Sequence, residues 1–395
     1  MLALAAPVLL GGAGMAVDFG TYTMKANALQ AAADEAATAG TRELALTSST
    51  DTSITASVTN LLNSNLQQND ASATPTVTIN RAKGTVTVRL SEAWTPVFAH
   101  FLNAGITPVI ASATGMLQGE SRLCILALHG SDPFTFNMMK NAHVQAATCS
   151  VYSNSTSGQG MTLQNASSIN AAVICSAGGV IGTGYSTSVK PQTDCQPLAD
   201  PLAGRAAPAV GACTATNFKV TTGAVSLSPG VYCGGINISG TAIASFNPGT
   251  YIIKDGFFYI GNSAQVTGTN VGFYLTGKNA LLWFLGTASI NLSGAESGPL
   301  AGLLFFGDRT MNSPIPHIIS ASNVHQLTGT IYFPSTNLWI DPNGNVAEAS
   351  AYTAIIALHM VIDNGPNLVL NTNYGATAVP VPDGVRSTST VVLSN

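Results

Sequence analysis

From residue 121 to the end of the chain no stretch sustains a helical period; short apolar runs recur instead, each closed by Gly, Asn, Ser or Pro. The runs GFFYIG, VGFYLTG, ALLWFLG, AGLLFFG and GTIYFP are continuous rather than alternating, as expected where both sides of a strand are shielded from water. Repetition is audible: Ser228-Pro229-Gly230-Val231-Tyr232 returns as Asn247-Pro248-Gly249-Thr250-Tyr251. Small-residue corners precede many runs, at Gly240-Thr241-Ala242, Asn262-Ser263-Ala264, Lys278-Asn279-Ala280 and Gly286-Thr287-Ala288. A chain that makes a short strand, turns and repeats about every twenty residues suits coils stacked on one another. The pattern predicts a right-handed parallel β-helix over 121–395, with an antiparallel β-sandwich or jelly roll as the alternative. AYTAIIALHMVIDNGPNLVLNTNY is expected to form the closing coils, and the polar tail from Gly375 a cap or an exposed end.

Composition narrows the setting. Charged residues make up 8% and hydrophobic residues 46% of the chain. That balance argues against disorder and against the mixed-charge surface of a soluble cytosolic enzyme. The net charge of −4, without a basic run, points away from nucleic acid. The six cysteines, Cys124, Cys149, Cys175, Cys195, Cys213 and Cys233, include no CxxC pair and fit structural disulfides in an oxidising compartment. Six cysteines allow fifteen pairings; neighbour pairing, 124–149, 175–195 and 213–233, is the expectation.

The opening seventeen residues, MLALAAPVLLGGAGMAV, carry no charge and end at Asp18. At about 1.5 Å per residue they fall slightly short of a hydrocarbon core about 30 Å thick. They are read as a membrane anchor incomplete at its cytoplasmic end, because a signal peptide would need a basic leader. Tyr22 to Leu46 continues as an Ala-rich stalk helix, with Gly40-Thr41 a point where it ends or bends. Residues 51–120 read as a small α+β module. Ile54, Val58, Leu61, Leu62 and Leu66 mark a helix, and Val77-Ile79 and Val86-Val88-Leu90 two strands about the turn Arg81–Gly84. A second helix is expected from Thr95-Pro96 through Leu102, then a strand over Val109–Thr114; Trp94 and His100 are read as packed and solvent-facing.

The succession VDFG…LQAAADEAATAG resembles the N-terminal region of TadG-like proteins of the Tad (tight adherence, Flp) pilus-assembly group, over residues 1–50 and on toward 120. The resemblance implies an inner-membrane anchor, a periplasmic or surface body, and a part in pilus biogenesis or adhesion. Its implied partners are the membrane and pilus-assembly or other envelope proteins, met through helix packing along Ala26 to Ala39. The Asp-x-Ser-x-Ser metal motif of the von Willebrand-type domain found in some members is not in this sequence, so no metal-dependent adhesion site is carried over. Ala5 stands where a mature pilin helix has Glu.

No catalytic, cofactor or metal site is predicted, and the chain is read as non-enzymatic. There is no H-E-x-x-H, Walker loop or supported G-x-S-x-G, and the body's acidic residues are scattered. Asp308-Arg309 is read as a surface pair, Asp341-Pro342-Asn343-Gly344-Asn345 as a turn rather than a calcium loop, and Gly178–Gly184 as a flexible loop. His129, His143, His317, His325 and His359 lack partners at ligand spacing. Tyr152, Tyr185 and Trp339 are the side chains suited to a glycan-binding face. The alternatives are therefore a surface carbohydrate-binding or polysaccharide-cleaving β-helix, and a minor pilin or filament subunit.

Overall fold

The computed structural model describes residues 2–44, 49–68, 72–80, 85–98, 107–118, 122–185, 189–386 and 390–394. They form two compact units, Met1–Glu120 with Ser389–Asn395, and Ser121–Thr388.

In the first unit, α1 (Leu2–Leu44) and α2 (Asp51–Gln68) pack on an antiparallel sheet of β1 (Thr74–Asn80), β2 (Thr85–Trp94) and β3 (Thr107–Gln118). The period-two alternation turns Val86, Val88 and Leu90 inward opposite Ala111 and Ala113 of β3. On α1, Leu29, Ala32, Ala33, Ala36 and Ala37 recur at helical spacing and close over that face. From α2, Ile54, Val58, Leu62 and Leu66 complete the core, each worth about 1.5–3 kcal/mol of burial. The alanines let α1 lie almost on the strand: a Cβ on Gly115 would overlap the Ala37 carbonyl and the Thr41 hydroxyl. The helix runs unbroken through Gly40-Thr41, where the sequence suggested a stop. Gly40 is there for room, since a Cβ would strike Val58 and crowd Val86.

Two further expectations change. Thr95–Phe98 is not helical, because the backbone N–H groups of Val97 and Phe98 are donated to the Asp18 carboxylate instead. The turn 81–84, His100 and the rest of the expected second helix lie outside the described residues. The tail is neither cap nor exposed end: Thr390–Ser394 pairs antiparallel with β3, Thr390 opposite Gln118 and Ser394 opposite Thr114.

Among the described residues the second unit is a single 24-stranded sheet whose strands all pair parallel, so the antiparallel sandwich is excluded. The chain winds helically through three faces. Face A holds Gly249–Lys254, Val271–Thr276, Leu303–Gly307 and Thr353–Ala357. Face B holds Phe258–Ile260, Leu282–Phe284, His317–Ile319, Leu338–Ile340 and Met360–Ile362, and face C Ile243–Phe246, Gln265–Gly268 and Ser289–Ser293. Register puts like on like: Ile260 lies on Phe284, then Ile319, Ile340 and Ile362. On face A, Tyr251, Phe273 and Phe305 stack at 5.3 and 5.5 Å between ring centroids. The corner alanines Ala242, Ala264, Ala280 and Ala288 all turn inward and are fully buried, which is why only small residues recur there.

The coils do not stack in chain order. The first, Arg122–Ala127 and Phe136–Met138, sits on the last, Ile355 facing Ile125 and Ile362 facing Met138. AYTAIIALHMVID is therefore buried mid-solenoid rather than closing it. The terminal coil is instead Val180–Ile181, paired with Met161 and Thr162. Gly178–Gly184 is thus a wound edge rather than a free loop, and Gly184 is required because a Cβ would run into the Ser167 carbonyl.

To begin its other end, at Ala215–Val220, the chain must travel back along the whole solenoid. It does so outside face A. Val231, Ile252, Tyr274, Phe306, Tyr332, Ile356 and Leu126 form an outward apolar stripe, register on register. Leu198 and Leu202 of the returning strap cover it, with Val381 and Val385. Three disulfides match neighbour pairing: Cys124–Cys149, Cys175–Cys195 and Cys213–Cys233, with Cα separations of 5.5, 6.1 and 5.7 Å. The latter two fasten the strap at both ends.

Candidate functional site

Three surfaces have the chemistry to do more than hold the fold. The first is the leading half of α1. Met15, Val17, Phe19 and Met24 stand exposed on it, Phe19 at 72% and Met24 at 73%. Such a density of large apolar side chains in water marks a contact surface. The Ala26–Ala39 stretch, by contrast, is largely consumed inside the unit, with Ala32, Ala33, Ala36 and Ala37 buried against α2 and the sheet; it is not free for an outside helix. Among the described residues no helix is long and apolar enough to cross a membrane. Asp18, which closes the apolar run, is buried and clasps Val97 and Phe98 N–H at 2.8 and 3.0 Å. Nearby, Lys25 meets Glu92 at 2.6 Å and Tyr22 packs edge-on against Trp94. The motif VDFG thus has a structural chemistry that the sequence left unassigned.

The second surface lies where the first coil sits on the last. His129 and His359 stack at 4.8 Å with both Nε2 atoms aimed at Asp132 Oδ2, 3.5 and 3.4 Å away. Burial, then the neighbouring His129, pushes the His359 pKa down, while Asp132 pulls it back up. Partners assign the tautomers. His129 Nδ1 accepts the Asp132 N–H at 3.1 Å, leaving its proton on Nε2, and His359 Nδ1 donates to Asn337 Oδ1 at 3.0 Å. Among the described residues this is the one group of three donors close enough to share a metal ion. To do so His129 would have to shift its proton to Nδ1, against the Asp132 N–H. As hydrogen-bonded it serves as a polar clamp across the coil seam, beside the Lys140–Asp363 pair at 2.9 Å. Sequence spacing hides it, since only coil stacking brings residue 359 to residue 129.

The third is the outer side of face B, which no strap covers. Register aligns Asn237, Tyr259, Trp283, Ile318, Trp339 and Val361 in one row. Adjacent coils lie about 4.8 Å apart, so the row is a ribbon of aromatic and aliphatic surface. Phe257 packs at a tilt on Trp283, 4.5 Å between centroids, and Trp339 is 42% exposed. Of the three side chains suited to a glycan face, only Trp339 is here. Tyr152 donates its hydroxyl to Gln196 O of the strap at 2.8 Å, and Tyr185 to Ile181 O at 3.2 Å on the terminal coil. Tyr259 and Trp283 were missed because both sit inside runs read wholly as core. In a single strand, only every second residue faces in.

The remaining marked residues hold structure. Asp308 and Arg309 do not serve each other: Asp308 Oδ1 accepts from Thr310 N–H at 2.9 Å, while Arg309 donates to Leu202 O of the strap and lies over Phe306 and Tyr332. His317 is fully buried, accepting Leu282 N–H at Nδ1 (3.0 Å) and donating from Nε2 to Thr336 (2.7 Å); burial lowers its pKa to about 3. His143 bonds Ser168, and His325 meets Glu348 at 2.5 Å. Asp341 starts the turn into Asn345–Val346 and meets no second carboxylate in a shared cluster among the described residues.

No curated protein and no solved structure matches the chain. Residues 1–43 match the Tad family model, described as putative Flp pilus-assembly TadE/G-like.

Proposed function

We propose that this chain is a non-enzymatic component of the bacterial cell envelope, acting in Tad/Flp pilus biogenesis or surface adhesion. In this reading the leading half of α1 tethers it at the inner membrane, and a right-handed parallel β-helix forms its periplasmic or surface body. The observation that carries the proposal is the family match over residues 1–43. It coincides with a helix whose trailing half is locked into a folded unit and whose leading half presents Met15, Val17, Phe19 and Met24 outward. Division of labour follows: the trailing half fixes the helix, and the leading half meets lipid or a partner helix. The test is a pull-down of the full chain from detergent-solubilised envelope. Pilus-assembly proteins should accompany it, and carbonate extraction should leave it in the membrane fraction. Recovery only in the soluble fraction, with no pilus component, would sink the proposal; recovery with sheared filaments would favour a filament subunit.

A second reading, a carbohydrate-binding body, is favoured by the row Tyr259, Trp283 and Trp339 beside Asn237 and Lys219, the first two half-buried and Trp339 exposed. Rigid aromatic side chains present large contact area at small entropic cost. Retention on neutral polysaccharide, lost in Trp283→Ala, supports it; retention unaffected by that change refutes it.

A further inference from the structure

At the corner between faces C and A, beside the coil seam, lies a cleft of about 930 Å³. Pockets of about 300–1,000 Å³ suit small organic ligands. Two of its lining groups are Arg122 and Arg386, which approach the ring of Tyr374 to 5.3 and 5.8 Å from its centroid. Among the described residues no Asp or Glu lines it. The walls are amides and hydroxyls: Gln326, Asn371, Asn373, Thr148, Thr328 and Thr377.

The arginines of this unit fall into two classes. Arg205 donates to Pro299 O and Ala301 O, and Arg309 to Leu202 O, so both are spent on backbone carbonyls. Arg122 gives one nitrogen to Thr372, at 2.8 Å to its hydroxyl, which holds the guanidinium in place and leaves most of its five donors unspent. Arg386 has no hydrogen bond or ion pair among the described residues. Glu348, on an adjoining turn, is engaged by His325. Burial, and the charge of Arg122, press the Arg386 pKa downward; burial carries that of Tyr374 up to about 12 although both cations oppose it. Two cations set against one ring, with no counter-charge among the described residues, are unfavourable unless an anion completes the site.

We propose that this cleft binds a carboxylate-bearing saccharide, the guanidinium forks of Arg122 and Arg386 taking the carboxylate and the amide and hydroxyl walls taking the ring hydroxyls. Planar guanidinium matches carboxylate in two-point contact. The polar walls have no use for a bare ion. The site deepens the carbohydrate reading at a different surface from the face B row, and the two fail separately, because Trp339→Ala leaves this cleft intact.

Titration calorimetry on the full chain tests it, with trigalacturonate as ligand and galactotriose and inorganic phosphate as comparators. Saturable trigalacturonate binding is expected, about tenfold or more tighter than either comparator and weakened by salt. Arg386→Gln should reduce it about tenfold or more with the melting temperature unchanged; Arg122→Lys, which keeps charge but loses the fork, should lose less. No trigalacturonate binding, equal binding of galactotriose, equal binding of phosphate, or indifference to Arg386→Gln would each overturn the proposal.

Discussion

Faces A and B of the solenoid are built alike, yet their outer sides have opposite fates. Both carry a register-aligned apolar row: Ile252, Tyr274, Phe306 and Tyr332 on A, and Tyr259, Trp283, Ile318 and Trp339 on B. The first is sealed beneath Leu198, Leu202 and Val385, and the second is open. The sealing follows from the stacking order. Because the first coil sits on the last, the chain must return along the solenoid, and the face it follows becomes core. Polar pins hold it there: Tyr332 OH donates to Asp200 at 2.6 Å, Asn154 to Leu198 O at 2.7 Å, and Arg309 to Leu202 O. An apolar stripe is therefore no proof of a binding face. What the rest of the chain does with it decides.

The contrast is open to breaking. The largest effect is expected from Phe306→Ala beneath the strap, about 3–5 kcal/mol by denaturant titration, because a fully buried ring leaves a cavity and frees the strap. A loss below 1 kcal/mol would show that face A is no more sealed than face B. Removing Cys213–Cys233 as a double Ser variant should cost about 3 kcal/mol for a loop of this size, read as a fall in melting temperature. Hydrogen exchange in that variant should rise first in residues 196–205 if the disulfide staples the strap.

Acid should act on face B. His317 is neutral and buried, with a pKa near 3, below its unfolded value of about 6.5, so the unfolded chain binds the proton first. Its contribution is complete above pH 6.5 and falls as pH drops toward 3, by about 1.4 kcal/mol per pH unit at most. His359, pushed the same way, adds to the slope. A His317→Gln variant should flatten it; an unchanged pH profile would remove His317 from the account. The smallest effect is expected from Trp339→Ala, within about 0.5 kcal/mol, since it stands in solvent. A larger loss would mean that something in this chain depends on it.

Much of this was legible beforehand. Neighbour pairing of the cysteines, one of fifteen possibilities, is what the structure has, and the inward stacks follow from the recurrence of runs and small corners. The strap was not legible: Leu198 and Leu202 lie in QPLADPLAG, a stretch without period whose covering role exists only against face A. Nor was Thr390–Ser394 as a strand, because five residues at an edge acquire that identity from β3. The clamp of His129, Asp132 and His359 and the pairing of Arg122 with Arg386 join residues from opposite ends of the solenoid sequence, so no spacing announces them.

What the sequence by itself determined is local and repetitive: a body of short apolar strands with small corners, cysteines spaced about a coil apart, and an opening helix that matches the Tad family model. Each depends on residues within a coil or a helical turn of one another. Only the tertiary structure decided the order in which the coils stack, and with it the sealed face, the open face and the two polar clusters. The reason is physical: strand pairing rewards any apolar coil laid on another, so neighbouring sequence says which residues face inward but not which coil lies above.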